Sequence, residues 1–224
     1  HYETVSPLLL DCLQKLMHHP AFDQFYLVGG TSLSLQRGHR LSVDMDLFTD
    51  IPYGQVNTAS IHDALQELFP YTDRTEELRH TQMVYSMYVG KSWNECIKLD
   101  ICYDESPIFP LLEVDGLRLA SEKEIAAMKI QTITQSEQRL KDFWDIHDLL
   151  ETYTLAEMKD WCLRRYPWTV TDADIKNAFM RMVSISDCTA VNCLKGKYWE
   201  FIVEDLQWYT EPKGGTKLDG APYT

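Results

Sequence analysis

Residues 25–48 read FYLVGGTSLSLQRGHRLSVDMDLF, a stretch that joins an apolar run and a glycine pair to two aspartates one residue apart. FYLVGG is typical of a buried strand that ends in a glycine turn. TSLSLQRG predicts a short helix with Thr31 or Ser32 near its start, and VDMDLF predicts a second strand. Because residues i and i+2 of a strand face the same way, we expect Asp44 and Asp46 to project side by side.

Two neighbouring carboxylates repel each other unless a positive group compensates them, and a hard divalent cation bound through oxygen does so best. The alternative is a solvated acidic pair, which arises readily in a chain with 34 acidic residues. Asp172 and Asp174 have the same spacing but follow Thr171, which predicts a helix N-terminus stabilised by acids. VDMDLF has no such helical explanation, so we predict a metal site at Asp44 and Asp46.

A third carboxylate interrupts another apolar strand pattern, ECIKLDICY, at Asp100. A bare charge is costly in such a context. If this strand lies beside VDMDLF, three carboxylates converge, as two-metal phosphoryl-transfer sites require. Asp100 could equally be a strand-edge residue that is hydrogen-bonded to a nearby loop.

The glycine pair predicts the other half of the site. Gly29, Gly30, Thr31 and Ser32 follow a strand and open a helix, so backbone amides and hydroxyls can cradle phosphates at the positive helix end. The pattern is neither a P-loop nor a G-x-G-x-x-G dinucleotide fingerprint. A phosphate cradle beside paired carboxylates points to transfer of a nucleotide from a nucleoside triphosphate.

The remaining patterns predict an α+β protein. Strand patterns continue to about residue 103, and helical patterns dominate after about residue 120. We therefore predict a mixed-sheet α/β domain over residues 1–118, a helical domain over 119–210 and a flexible tail over 211–224.

Composition narrows the function further. The net charge of −13 opposes indiscriminate binding to polyanions, so any nucleic-acid contact must be local. The six cysteines form no C-x-x-C pair, which favours reduced thiols in a cytoplasmic protein. The N-terminus does not match a signal peptide, and no run approaches the roughly 20 apolar residues of a membrane span, so we expect no membrane partner.

At this point the residues resemble a known family. GGTSLSLQRGHRLSVDMDLF is similar to the first motif of polymerase-beta-type nucleotidyltransferases. Its R-x-S-x-D-x-D ending, at Arg40, Ser42, Asp44 and Asp46, resembles the AbiEii/AbiGii-type toxin nucleotidyltransferases in particular. The likeness continues through KLDI at residues 98–101, AAMKIQTI around Lys129, and KDFWDIHDLL at residues 141–150.

The resemblance implies a polymerase-beta-like nucleotidyltransferase domain followed by a helical domain, and a bacterial toxin with a cognate antitoxin protein as its partner. It implies that Asp44, Asp46 and Asp100 bind Mg²⁺, or Mn²⁺ as an alternative, and that these acids act in catalysis with Lys129 and Asp145. The implied nucleotide-binding residues are Gly29, Gly30, Thr31, Ser32, Arg40, Ser42, Lys129 and Asp142.

The same resemblance implies that a nucleoside monophosphate moves from an NTP to an acceptor hydroxyl, with RNA, and the 3′ end of tRNA, as the expected acceptor. Two alternatives stay open. The acceptor could be a small molecule or a protein, or the chain could be a catalytically idle binding module of the same fold. Asp142 and Asp145 could also pair with Lys129, Arg139 or Lys141 as structural ion pairs, the more common fate of helix carboxylates.

Overall fold

The computed structural model describes residues 1–73, 84–136, 139–185 and 191–210. These residues form two compact units that divide between Ser121 and Glu122. The predicted α+β fold, a mixed sheet followed by helices, is confirmed. The predicted boundary after residue 118 lies inside a strand, Leu117–Leu119, because this strand still pairs within the sheet of the first unit. The predicted tail, 211–224, lies outside the described residues.

One seven-stranded sheet organises the first unit, with the order β3-β4-β5-β2-β1-β7-β6. The strands are β1 Tyr26–Leu27, β2 Asp44–Thr49, β3 Tyr71–Thr72, β4 Val84–Ser92, β5 Glu95–Tyr103, β6 Leu112–Val114 and β7 Leu117–Leu119. The pairs β2–β5 and β1–β7 are parallel, and the other neighbouring strands are antiparallel. β3, β6 and β7 were not among the predicted strands, because two or three residues are too few for a visible alternation.

The helices of the first unit are α1 Pro7–His18, α2 Gly29–Arg37 and α3 Thr58–Leu68. α1 begins where Ser6 accepts a hydrogen bond from the Leu9 amide, and it buries Leu9, Leu13 and Leu16 in the core. α2 ends at Gly38, whose left-handed backbone suits glycine.

The alternation of β2 separates the core from the predicted site. Met45 and Leu47 are fully buried and belong to the hydrophobic core, together with Leu99 of β5. Asp44 and Asp46 therefore lie on the opposite face of the sheet, where they are only partly buried.

The second unit is helical, as predicted. It contains α4 Glu122–Gln135, α5 Leu140–Leu149, α6 Leu155–Arg165, α7 Asp172–Arg181 and α8 Trp199–Thr210. Phe143 packs edge-on against Phe179, and Trp144 stacks on Trp199. None of the described helices is both long and apolar enough to span a membrane.

The predicted structural role of the Asp172 and Asp174 pair is confirmed. Thr171 and Asp174 form a capping box at the start of α7, in which the Thr171 hydroxyl accepts from the Asp174 amide and Asp174 accepts from the Thr171 amide. This D-x-D pair is thus explained by the helix that it begins.

Candidate active site

The acids of β2 and β5 meet through the strand order. Because β2 and β5 run parallel, Asp46 lies directly opposite Asp100, and Asp44 lies opposite Lys98. Neighbouring strands are about 4.8 Å apart. Paired residues point to the same face, which is the face opposite Met45 and Leu99. The structure therefore brings the strand of Asp100 beside that of Asp44 and Asp46.

The glycine turn lies directly against this acidic group. Gly29 has a φ of 68°, and a Cβ added there would be 2.4 Å from Asp46 Oδ2. The Val28 amide donates to the Asp46 carbonyl oxygen at 2.9 Å, which ties the end of β1 to β2. Gly29 is therefore required twice, once for its left-handed backbone and once for the close approach of the carboxylate.

The second glycine makes room for an arginine. A Cβ on Gly30 would lie 2.1 Å from Nη2 of Arg40, whose side chain is buried. The guanidinium thus lies against the first turn of α2, where the backbone amides also carry positive partial charge. Val28 precedes this turn and provides no side-chain cap. The arrangement favours an anion at this end of α2.

The hydroxyl groups predicted to bind phosphate are buried and hydrogen-bonded within the unit. Thr31 Oγ1 lies 2.7 Å from Ser42 Oγ and also donates to the Asp44 carbonyl oxygen. Ser32 Oγ donates to the carbonyl oxygen of Ala120 at 3.2 Å. These bonds hold the start of α2 against β2 and the end of β7. A role of these hydroxyls in phosphate binding stays a prediction.

Lys98 is a charged residue of the site that the sequence reasoning did not single out. Its Nζ lies 2.5 Å from Asp100 Oδ2. This hydrogen bond, together with the charges of Asp100, Asp44 and Asp46, raises the pKa of Lys98 against the opposing effect of burial. The signal was the K-x-D spacing within ECIKLDICY, since residues i and i+2 share a face of the strand.

The carboxylate oxygens of Asp44, Asp46 and Asp100 suit a hard cation, although they do not form a complete metal site as they stand. Within the described ranges, no three His, Cys, Asp or Glu side chains are close enough together to hold a metal ion. Asp100 Oδ1 is nevertheless buried and has no hydrogen-bond partner among the described residues. The other oxygen of this carboxylate, Oδ2, already binds a cationic group, the ammonium of Lys98. Carboxylate oxygens with this combined negative potential fit Mg²⁺ or Mn²⁺.

The predicted residues of the helical unit form a buried ion cluster of their own. Lys129 Nζ lies 2.5 Å from Asp142 Oδ1 and 2.7 Å from Asp145 Oδ2. Arg139 Nε also contacts Asp142, at 2.6 Å. Asp145 is fully buried. The structure therefore realises the ion-pair alternative, and a contribution of these residues to nucleotide binding and catalysis stays a prediction.

Solved structures share this fold. A Helicobacter pylori protein assigned as a nucleotidyltransferase matches with a TM-score of 0.60 at 16% identity, over 91% of this chain and 90% of that chain. JHP933 from Helicobacter pylori matches with a TM-score of 0.50 at 16% identity, over 89% and 90% of the two chains. The fold is that of the nucleotidyltransferases.

The family follows from sequence comparison. The family model described as nucleotidyl transferase AbiEii toxin, type IV TA system, matches residues 11–181. The chain belongs to this family, and it is therefore a nucleotidyltransferase toxin of a toxin–antitoxin system. An uncharacterized protein from Aquifex aeolicus (strain VF5) is 27% identical over 161 residues, which are 70% of this chain and 73% of that relative. Membership implies an NTP substrate and an antitoxin partner, and the family is typically metal-dependent.

Proposed function

We propose that the first unit transfers a nucleoside monophosphate from an NTP to the hydroxyl group of an RNA acceptor, with the 3′ end of tRNA as the expected acceptor. The observation that carries this proposal is the close approach of the Asp46 carboxylate to the Gly29 turn, with Asp100 directly opposite Asp46 on the next strand. This arrangement places the N-terminus of α2, which favours an anion, next to a group of carboxylates, which favour a cation.

In this proposal the residues divide into two groups. The amides of Gly29 and Gly30, together with Arg40, bind the triphosphate tail, because they present positive charge at the start of α2. Asp44, Asp46 and Asp100 would hold Mg²⁺ or Mn²⁺, which would neutralise charge on the phosphates when bound. Thr31 and Ser42 hold the two groups in place, since their hydroxyls connect α2 to β2.

The transfer step follows from these positions. The acceptor oxygen forms a bond with the α phosphorus, the bond from that phosphorus to the bridging oxygen of the β phosphate breaks, and pyrophosphate leaves. Asp100 helps to activate the acceptor hydroxyl, whose proton its carboxylate accepts. Lys98 keeps Oδ2 of Asp100 in place.

The residues of the helical unit are proposed to contribute through their ion cluster. Asp142 and Asp145 orient the ammonium of Lys129, which neutralises charge on the nucleotide as the reaction proceeds. The cluster would also stabilise its own helices, and both roles depend on the same contacts.

The test uses Asp46→Asn, which keeps the shape of the side chain and removes its charge. Wild type and variant are incubated with Mg²⁺, each of the four α-labelled NTPs and a bacterial cell extract, and RNA, protein and small molecules are then separated. We expect label in RNA with the wild type and a loss of at least about 100-fold in the variant, the usual scale for a group that positions the reacting atoms.

The matched control is Asp172→Asn, which alters a D-x-D aspartate that begins α7. It should transfer label at the wild-type rate. Label in protein or in a small molecule would show that the acceptor is not RNA. Equal labelling by Asp46→Asn and wild type would refute the assignment of the site. If wild type labels nothing while it still acts in cells, the idle binding module is favoured.

A further inference from the structure

The row of residues that crosses the sheet at Asp44 continues to an exposed aromatic ring. Asp44 pairs with Lys98 of β5, and Lys98 pairs in turn with Tyr88 of β4. Tyr85, Met87 and Val89 of β4 belong to the hydrophobic core. Tyr88 therefore lies on the site face, and it is 44% exposed.

Tyr88 lies on the acceptor side of the proposed reaction centre. The order of strands is β1, β2, β5, β4, so the glycine turn after β1 and Tyr88 on β4 flank the carboxylates from opposite sides. In-line transfer places the attacking hydroxyl opposite the leaving pyrophosphate. If pyrophosphate leaves toward the glycine turn, the acceptor approaches over β5 and β4.

The distance between Tyr88 and Asp44 suits a base of the RNA acceptor. Tyr88 is two strand spacings from Asp44, or roughly 10 Å. The hairpin from β4 to β5 carries Trp93, which is 73% exposed. Exposed aromatic rings of this kind bind single-stranded nucleic acid by stacking.

We propose that Tyr88 is the platform on which a base near the 3′ end of a single-stranded RNA acceptor stacks. This inference rests on the proposed function and names the part of the acceptor that the protein recognises. Since the chain is acidic and the row through Asp44 and Tyr88 carries one lysine, Lys98, stacking contributes most of the affinity. The RNA affinity should therefore depend only weakly on salt, with a log–log slope of about −0.7 for one phosphate contact.

The experiment measures binding of a 5′-fluorescein-labelled, single-stranded 12-nucleotide RNA by anisotropy, with Mg²⁺ and without NTP. We expect Tyr88→Ala to weaken binding about 5- to 150-fold, the range found for loss of one stacked base. Tyr88→Trp should bind as tightly as wild type because the stacking surface is kept. The same 12-mer annealed to its complement should bind less tightly, since its bases are already stacked.

The control is Tyr53→Ala. Tyr53 is 53% exposed in the same unit, but it follows the other end of β2, away from Asp44. This variant should bind the 12-mer like wild type. Equal affinities of Tyr88→Ala and wild type would overturn the proposal, as would a preference for the duplex or for an acceptor protein.

The two proposals fail in different ways. Asp46→Asn should lose nucleotide transfer and keep RNA binding, whereas Tyr88→Ala should lose RNA binding and raise the KM for RNA without changing the KM for NTP. If Tyr88→Ala binds RNA normally while Asp46→Asn is inactive, the stacking role is wrong and the proposed function stands. If Asp46→Asn remains active, the proposed catalytic site is wrong, whatever Tyr88 does.

Discussion

Replacing Gly29 by alanine should have two effects, backbone strain and displacement of a site carboxylate, which a comparison variant can separate. Gly29 has a φ of 68°, a conformation that costs a residue with a side chain about 1–2 kcal/mol. The added Cβ would also be 2.4 Å from Asp46 Oδ2. Since close carbon–oxygen contacts are normally about 3.3 Å, the carboxylate must move by roughly 0.9 Å. A misplacement of about 1 Å can reduce a rate about 100-fold.

Gly54→Ala supplies the matched comparison. Gly54 has a φ of 77°, and a Cβ there would have nothing within 4 Å. Both variants should therefore lose about 1–2 kcal/mol in the free energy of unfolding, measured by urea denaturation. Only Gly29→Ala should also lose about 100-fold in nucleotide transfer, measured with labelled NTP under conditions in which both variants are folded.

A double variant tests whether this loss acts through Asp46. If Gly29→Ala impairs transfer by displacing that carboxylate, it should add little to the loss already caused by Asp46→Asn. Full activity of Gly29→Ala, with a stability loss equal to that of Gly54→Ala, would refute the reasoning. It would mean that the position of Asp46 against the glycine turn does not matter for the reaction.

Two further predictions concern the helical unit. Lys129→Met should reduce the free energy of unfolding by about 3–5 kcal/mol, because it leaves the buried carboxylates of Asp142 and Asp145 without their ammonium partner. The exposed pair of Lys15 with Asp11 is the control: Lys15→Met should cost less than about 1 kcal/mol, and equal urea midpoints for the two variants would contradict the prediction. Burial lowers the pKa of His147 below 6.5, although its hydrogen bond with Asp205 acts in the opposite direction. As the pH decreases, the unfolded chain therefore binds a proton at this histidine before the folded chain does. The free energy of unfolding should fall as the pH decreases from about 7 to 5. His147→Gln should lose this part of the pH dependence in urea denaturation, and an unchanged pH profile would show that the histidine does not contribute to it.

The amino-acid pattern alone predicted the local features of the site. Strand alternation placed Asp44 and Asp46 on one face, and this holds because Met45 and Leu47 enter the core between and beyond them. The glycine pair predicted a strand-to-helix turn, and α2 indeed begins at Gly29. The apolar strand pattern ECIKLDICY singled out Asp100, and the family resemblance added a catalytic role for Lys129.

The partners of these side chains could not be derived from the same pattern. Thr31 and Ser42 looked like phosphate ligands, but in the folded unit they bond to each other and Thr31 also donates to the backbone of Asp44. For Lys129 the pattern left two possibilities open, an anionic ligand or pairing with Asp142 and Asp145, and only the structure showed that the pairs form. The type of partner that a side chain can bind follows from its own chemistry, whereas the partner that it meets depends on which helices and strands pack beside it.

What the sequence by itself determined is therefore the family, through its resemblance in several motifs, and the faces of the strands and helices. The faces follow from the sequence because periodicity and turn residues act over a few neighbouring positions. Only the tertiary structure decided that β5 lies next to β2, which brings Asp100 to Asp46 and Tyr88 into the row of Asp44. The pairing of distant strands depends on burying one shared apolar face, and no single segment contains that information.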